Sequence, residues 1–93
     1  MVIKLLTVDF LLPGCSSLKE KRFVLSSLKP RLRQRFNVSV AEVDYHDKWQ
    51  RCRLAVVMVA TDRRAVDTMC DKVLRFIEED HRVTVTESSQ EIC

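Results

Sequence analysis

The segment of residues 19–35 is the part of the chain best suited to binding chemistry, because it holds seven basic residues against one acidic residue. The rest of the chain has nine basic and twelve acidic residues, so positive charge is concentrated in this segment. Drawn as a helix, it aligns four basic side chains along one edge of the apolar stripe. This basic edge consists of Lys19, Arg22, Lys29 and Arg33. It can neutralise phosphates, which predicts RNA binding that weakens steeply with salt. The alternative is a solvated helix face whose basic residues are favoured by the helix dipole.

The turn in front of this segment, residues 13–17, is a second candidate site. Free N–H groups at a helix start, together with the hydroxyls of Ser16 and Ser17, could hold an anion. The commoner alternative is plain capping of the helix. Cys15 has no histidine near it in the sequence, so we do not expect it to act as a nucleophile.

A third candidate is the stretch DYHDKWQRCR, which contains the only tyrosine, the only tryptophan and one of the two histidines. In the functional interpretation it forms a recognition tip: Tyr45 and Trp49 stack on bases or on a partner's side chains. His46 and Gln50 then supply hydrogen bonds. In the structural alternative, which we favour for Trp49, its ring folds back over the open end of the core.

Several chemistries are excluded by residue type and spacing. Asp44, His46 and Asp47 share one turn but lack a fourth convergent ligand or a nucleophile, so we expect no metal site and no catalytic site there. The four cysteines form no C-x-x-C pair, and we expect them to be reduced. A single glycine, Gly14, cannot build a glycine-rich phosphate loop. We therefore expect neither an enzyme nor a bound cofactor.

The composition fits one domain spanning residues 1–93, since 46% of the side chains are hydrophobic. The apolar N-terminal segment carries Lys4 and Asp9, so it is typical of a strand rather than of a signal peptide or a membrane span. We expect a cytoplasmic protein without a membrane partner.

Hydrophobic periodicity predicts a strand over residues 2–12, followed by a first helix. Ser17 and Glu20 form a capping-box signature at the start of that helix. Pro30 lies inside the apolar pattern, which predicts a kink or an early end near residues 26–29.

The second half of the chain repeats this arrangement. A hairpin is predicted from strands at residues 37–43 and 51–60. Thr61 or Asp62 then caps a second helix, and residues 82–88 alternate as a final strand. The tail after that strand shows no periodicity.

The order strand, helix, strand, strand, helix, strand predicts an α+β ferredoxin-like βαββαβ fold, with a four-stranded antiparallel sheet and both helices on one face. The central strands offer only Phe10 as an aromatic, which argues against base stacking on the sheet. Both sides of these strands are apolar, yet helices cover only one side. We therefore predict a homo-oligomer through the sheet face.

Four segments of the sequence resemble the YlxP-like family of small bacterial proteins, classed as a domain of unknown function. They are LPGCSSLKEKR at 12–22, RFNVSVAEV at 35–43, D-x-W-Q at 47–50 and DKVLRFIEE at 71–79. The resemblance implies a ferredoxin-like fold. Members are often encoded beside translation initiation and ribosome-maturation factors, so it also implies a role near the ribosome, with ribosomal RNA as partner. It supplies no catalytic residues. Cys15 and Pro30 depart from the family pattern, and the sequence assigns a role to neither.

Two functional hypotheses follow. In the first, the chain is a non-enzymatic RNA-associated accessory protein that acts in ribosome maturation or translation through the basic edge. In the second, it is a homo-oligomeric protein-interaction module that uses its apolar sheet face.

Overall fold

The computed structural model describes residues 1–93 and confirms the ferredoxin-like order. The elements are β1 Val2–Leu11, α1 Leu18–Arg35, β2 Val38–Asp44, β3 Arg51–Ala60, α2 Arg63–Glu78 and β4 Thr84–Ile92. The strands form one antiparallel sheet in the order β2-β3-β1-β4, which includes the predicted β2–β3 hairpin. No helix is both long and apolar enough to cross a membrane.

The core lies between the helices and one face of the sheet. Side chains alternate between the two faces of a strand, and the even-numbered residues of β1 and β3 point toward the helices. Leu6, Phe10 and Val56 are fully buried there. The helices contribute Leu25, Leu28 and Leu32 from α1 and Val66, Cys70, Val73 and Ile77 from α2.

Both helices begin with side-chain caps. The Ser17 hydroxyl accepts a hydrogen bond from the Glu20 N–H at 3.1 Å, and the Glu20 carboxylate accepts one from the Ser16 N–H at 2.6 Å. The capping prediction is therefore confirmed, although the reciprocal bond lies one residue earlier than expected. Asp62, rather than Thr61, caps α2 by accepting from the Ala65 N–H at 2.9 Å.

The predicted early end of α1 near Pro30 is wrong, because the helix runs from Leu18 to Arg35. Proline removes one backbone hydrogen bond, a cost of about 3 kcal/mol in a helix interior. Leu28 and Leu32 on either side are fully buried, so core packing supports the helix both before and after the proline. Pro30 itself is exposed.

The last strand is longer than its hydrophobic pattern indicated. β4 continues through Gln90 to Ile92, and Ile92 pairs with Lys4 of β1. The polar tail is ordered as a strand because β1 offers it a row of backbone partners, which requires no apolar alternation. One irregularity interrupts this pairing, between Asp9 and Phe10 of β1.

The uncovered sheet face carries charged as well as apolar side chains, so the prediction of an entirely apolar face is wrong. Val57 and Val59 are 39% and 48% exposed toward one end. Toward the other end Arg53 binds Asp9 with two hydrogen bonds, at 2.7 and 2.9 Å. The pair is placed there because odd-numbered residues of β1 and β3 share this face and Asp9 is opposite Arg53 in the register.

Candidate nucleic-acid interface

Helix α1 positions the basic edge along one side of the molecule. From Lys19 to Arg33 the helix rises about 21 Å, at 1.5 Å per residue. Lys19, Arg22 and Arg33 are exposed and Lys29 is half-buried. None of the four forms an ion pair with a carboxylate, whereas six other basic side chains of the chain do. The structure thus brings the predicted residues together with their charges available to an anion.

The C-terminal end of the basic edge lies over the outer strand of the sheet. The Arg33 guanidinium donates a hydrogen bond to the Val40 carbonyl of β2 at 2.9 Å. A guanidinium carries five N–H donors, so one internal bond orients the side chain and leaves donors for an external acceptor.

One basic residue of the same segment is removed from the surface. Lys21 is only 1% exposed, and its Nζ lies 2.9 Å from Glu42 Oε2 and 2.6 Å from the Tyr45 carbonyl oxygen. Lys21 therefore adds little to the positive field at the surface of the helix, although it was counted among the seven basic residues of the segment. Its burial could have been predicted from the sequence, because Lys21 precedes Leu25 by four residues and therefore falls on the apolar stripe.

Arg31 is also partly neutralised. Its guanidinium lies 3.8 Å from Asp80 Oδ2 and stacks over the Phe76 ring at 5.3 Å. Asp80 is buried at the start of the turn into β4 and is held mainly by Arg82, whose hydrogen bonds lower the pKa of this carboxyl to about 2. Arg31 therefore serves the packing between the helices.

Lys21 fixes the recognition tip against the first turn of α1. Tyr45 has a φ of 63°, the left-handed region that a non-glycine residue rarely adopts. Its carbonyl accepts from Lys21 Nζ and, at 3.0 Å, from the Lys48 N–H. These two bonds stabilise the turn, and they place it next to the N-terminal end of the basic edge.

Three of the four predicted tip residues are engaged inside the protein. The Tyr45 ring lies 4.2 Å from the Arg51 guanidinium carbon, and its hydroxyl accepts from Arg53 at 3.3 Å. His46 Nε2 contacts the Glu42 carbonyl at 3.1 Å. The Gln50 amide donates to the Cys15 carbonyl at 3.0 Å, which ties the tip to the turn before α1. Their hydrogen-bonding groups therefore stabilise the loop.

Trp49 is the exception, and our interpretation of it as a core residue is wrong. Its side chain is 52% exposed and takes no part in the hydrophobic core. It lines an open cavity of about 470 Å³ whose walls include Leu11 and Tyr45. About half of the indole surface is therefore accessible to a partner.

The acidic residues of the tip do not converge on a common point. Asp44 Oδ2 lies 3.2 Å from Arg53 Nη1, while His46 Nε2 contacts the Glu42 carbonyl of β2, four residues earlier in the chain. Arg53 also binds Asp9, and this hydrogen bond lowers the pKa of the Asp9 carboxyl. These groups form a structural ion-pair network centred on Arg53, which the sequence did not reveal because its members come from different strands.

The cysteines are free, and three of them are buried. Burial raises the pKa of the thiols of Cys15 and Cys70, and it raises that of Cys52 to about 12. At neutral pH these thiols are protonated, which makes them poor nucleophiles. The start of α1 therefore does not activate Cys15.

Two comparisons place the chain among known proteins. Residues 3–90 match the model of a protein family described as "Protein of unknown function (DUF503)". The chain is also similar to "Uncharacterized protein YlxP" of Bacillus subtilis (strain 168), with 40% identity over 62 residues that cover 67% of each chain. The family match spans both helices and most of the sheet, and it contains all four segments singled out in the sequence. The chain belongs to the DUF503 family.

Proposed function

We propose that this protein binds structured RNA through the phosphates that contact the basic edge, as a non-enzymatic accessory protein in ribosome maturation or translation. The observation that supports this proposal is the row of four basic side chains on one helix, none of them neutralised by a carboxylate. Ribosomal RNA is the partner that the family resemblance implies.

The position of Trp49 supports a second contact to the same RNA. The tip adjoins the first turn of α1 through the Lys21 bond to the Tyr45 carbonyl. An RNA strand whose phosphates lie on Lys19 and Arg22 can therefore bring an unpaired base toward the exposed indole. Stacking of a base on an aromatic side chain contributes about 1–3 kcal/mol.

A binding role is favoured over a catalytic one by the state of the reactive groups. The buried thiols are held protonated, and the carboxylates of Asp9 and Asp44 are engaged by Arg53. Cys52 Sγ donates to Glu42 Oε2 at 3.8 Å, but burial and this carboxylate raise the pKa of the thiol and so disfavour the nucleophilic thiolate.

The test is a salt titration of binding to ribosomal RNA fragments. Each phosphate contact contributes roughly 0.7–0.9 to the slope of log affinity against log salt, so four contacts predict a slope near −3. The triple variant Lys19→Glu, Arg22→Glu, Lys29→Glu should lose most of the affinity and of the slope. It spares Arg33, which has an internal hydrogen bond.

The matched control reverses three exposed charges on the other helix, with Arg64→Glu, Lys72→Glu and Arg75→Glu. It has the same net charge as the α1 variant and should retain most of the slope. Equal losses in both variants would mean that the RNA responds to overall charge, and the proposed site would then be wrong. Far-ultraviolet circular dichroism establishes that both variants are folded.

The exposed valines on the sheet support the second candidate function, a homo-oligomeric interaction module. Val57 and Val59 are 39% and 48% exposed on the uncovered face. An apolar interface there should be nearly independent of salt, unlike phosphate binding. The double variant Val57→Lys, Val59→Lys should abolish self-association measured by sedimentation if this face is the interface.

A further inference from the structure

The two outer strands of the sheet, β2 and β4, differ in whether the backbone groups that point away from the sheet accept hydrogen bonds from the chain's own side chains. On β2, the Val40 carbonyl accepts from Arg33 and the Glu42 carbonyl contacts His46. Two of the outward acceptors at this edge are therefore occupied by side chains of the same chain. Natural sheets commonly protect their edges in such ways, because an unpaired edge is a template for another strand.

On β4 the pairing with β1 shows which backbone groups point outward. The Cys93 N–H donates to the Ile3 carbonyl at 2.9 Å, so the odd-numbered residues of this segment bond to β1. In an antiparallel ladder the alternate residues direct their N–H and C=O groups the other way. The outward set is Ser88, Gln90 and Ile92.

These outward groups have no partner within the chain. No side chain donates to them or accepts from them, and the backbone bonds outside the regular ladders do not involve them. The β-bulge between Asp9 and Phe10 is a common device for blunting an edge. It lies before Glu87, so residues 87–92 remain a regular strand that is open along its whole length.

We propose that the partner of this edge is β4 of a second copy of the chain, paired antiparallel about a two-fold axis at Gln90. In this register Gln90 faces Gln90 of the second copy, and Ser88 faces Ile92 of the second copy. The outward N–H and C=O groups of the two strands therefore point at each other. Each such pair exchanges two bonds, which gives about six interchain hydrogen bonds.

The charges on β4 select this register over its neighbour. If the two-fold axis lay at Ser89 instead, Glu87 of one copy would stand directly opposite Glu91 of the other copy. Like charges directly opposite one another destabilise a strand pair. With Gln90 on the axis, Glu91 faces Ser89 instead. The pairing also covers Ile92, an apolar side chain that is 39% exposed.

The dimer leaves the basic edge free in both copies. Helix α1 packs against β2, at the opposite side of the sheet from β4. Pairing through β4 would therefore form an eight-stranded sheet with one basic edge toward each end. The proposal does not depend on RNA binding, and it uses a different surface from the valines of the uncovered face.

Sedimentation equilibrium and amide hydrogen exchange on the full chain test this pairing together. We expect a concentration-dependent dimer in which the Ser88, Gln90 and Ile92 amides become protected as the dimer forms. The Glu87, Ser89 and Glu91 amides bond to β1 and should be protected at every concentration.

Gln90→Pro is the diagnostic variant. It removes an outward N–H that the β1 ladder does not use, so the monomer should stay folded. Two interchain bonds are lost at the axis, which predicts an increase in the dimer Kd of about 30-fold. Gln90→Thr keeps the N–H and is the matched control, with a Kd close to that of the unsubstituted chain.

Either of two results would overturn the proposal. One is a chain that stays monomeric at millimolar concentration. The other is a dimer in which the Ser88, Gln90 and Ile92 amides still exchange freely and Gln90→Pro has no effect. That second result would move the interface elsewhere, and dissociation by Val57→Lys, Val59→Lys would then assign it to the uncovered face.

Discussion

The buried Lys21 allows a sharp prediction about stability, because its ammonium group is 1% exposed between Glu42 and the Tyr45 carbonyl. Lys21→Met keeps a long apolar side chain but removes the charge and both contacts. It leaves the Glu42 carboxylate, whose side chain is 17% exposed, without its partner cation. Removing one member of a buried ion pair costs about 3–5 kcal/mol.

The assay is urea unfolding followed by circular dichroism. A small domain has an m value of about 1–3 kcal/mol per molar urea, so the midpoint should fall by roughly 2 M. Lys19→Met is the matched control: it lies two residues away on the same turn, is exposed, and should change the free energy of unfolding by less than about 0.5 kcal/mol.

The double variant Lys21→Met, Glu42→Met separates charge from packing. It removes both ions, so it should recover a large part of the lost stability, since apolar residues often replace a buried pair without net cost. The reasoning is refuted if Lys21→Met is no more destabilising than Lys19→Met. It is also refuted if the double variant loses the sum of the two single effects, because the two ions would then be uncoupled.

Three further predictions concern other parts of the fold. Trp49→Ala should lower the free energy of unfolding by less than about 1 kcal/mol, because the ring is half-exposed; a loss of 3–5 kcal/mol in urea unfolding, typical of a core aromatic, would contradict its placement. Pro30→Ala should stabilise the chain by about 2 kcal/mol, since it restores a helical N–H at an exposed site; unchanged or lower stability would mean that α1 adapts to proline without cost. The Asp80 carboxyl has its pKa lowered from 3.8 to about 2 by Arg82, so its stabilisation is complete above pH 4 and is lost as pH falls toward 2. This pKa difference corresponds to about 2 kcal/mol in the free energy of unfolding. Asp80→Asn should flatten this part of the curve of unfolding free energy against pH; an unchanged curve would assign the acid sensitivity to other carboxylates.

The prediction of the fold succeeded where local patterns were sufficient. The spacing of Leu25, Leu28 and Leu32 identified α1, and the alternation in β2 followed by the apolar run in β3 identified the hairpin. Helical and strand periods are properties of neighbouring residues, so they can be read without knowing the partners. The basic edge was found in the same way, because its four members share one helix.

The errors all concern partners that are distant in the sequence. Pro30 did not end α1, because buried leucines on both sides are held by the core. The polar tail joined β4 because β1 offered an unpaired edge. Trp49 remained half-exposed outside the core, a placement that its residue type does not predict. In each case tertiary contacts outweighed a local preference of a few kcal/mol or less.

The sequence by itself therefore determined the order of the elements, the two-layer architecture and the location of the basic segment. The tertiary structure decided which charges of that segment remain available. Lys21 and Lys19 are two residues apart, yet Lys21 is buried against Glu42 of β2 while Lys19 is exposed. The structure also left β4 as the unoccupied edge, while Arg33 and His46 occupy carbonyls of β2. The physical reason is that burial and pairing depend on the assembled sheet, which brings together residues that no local period relates.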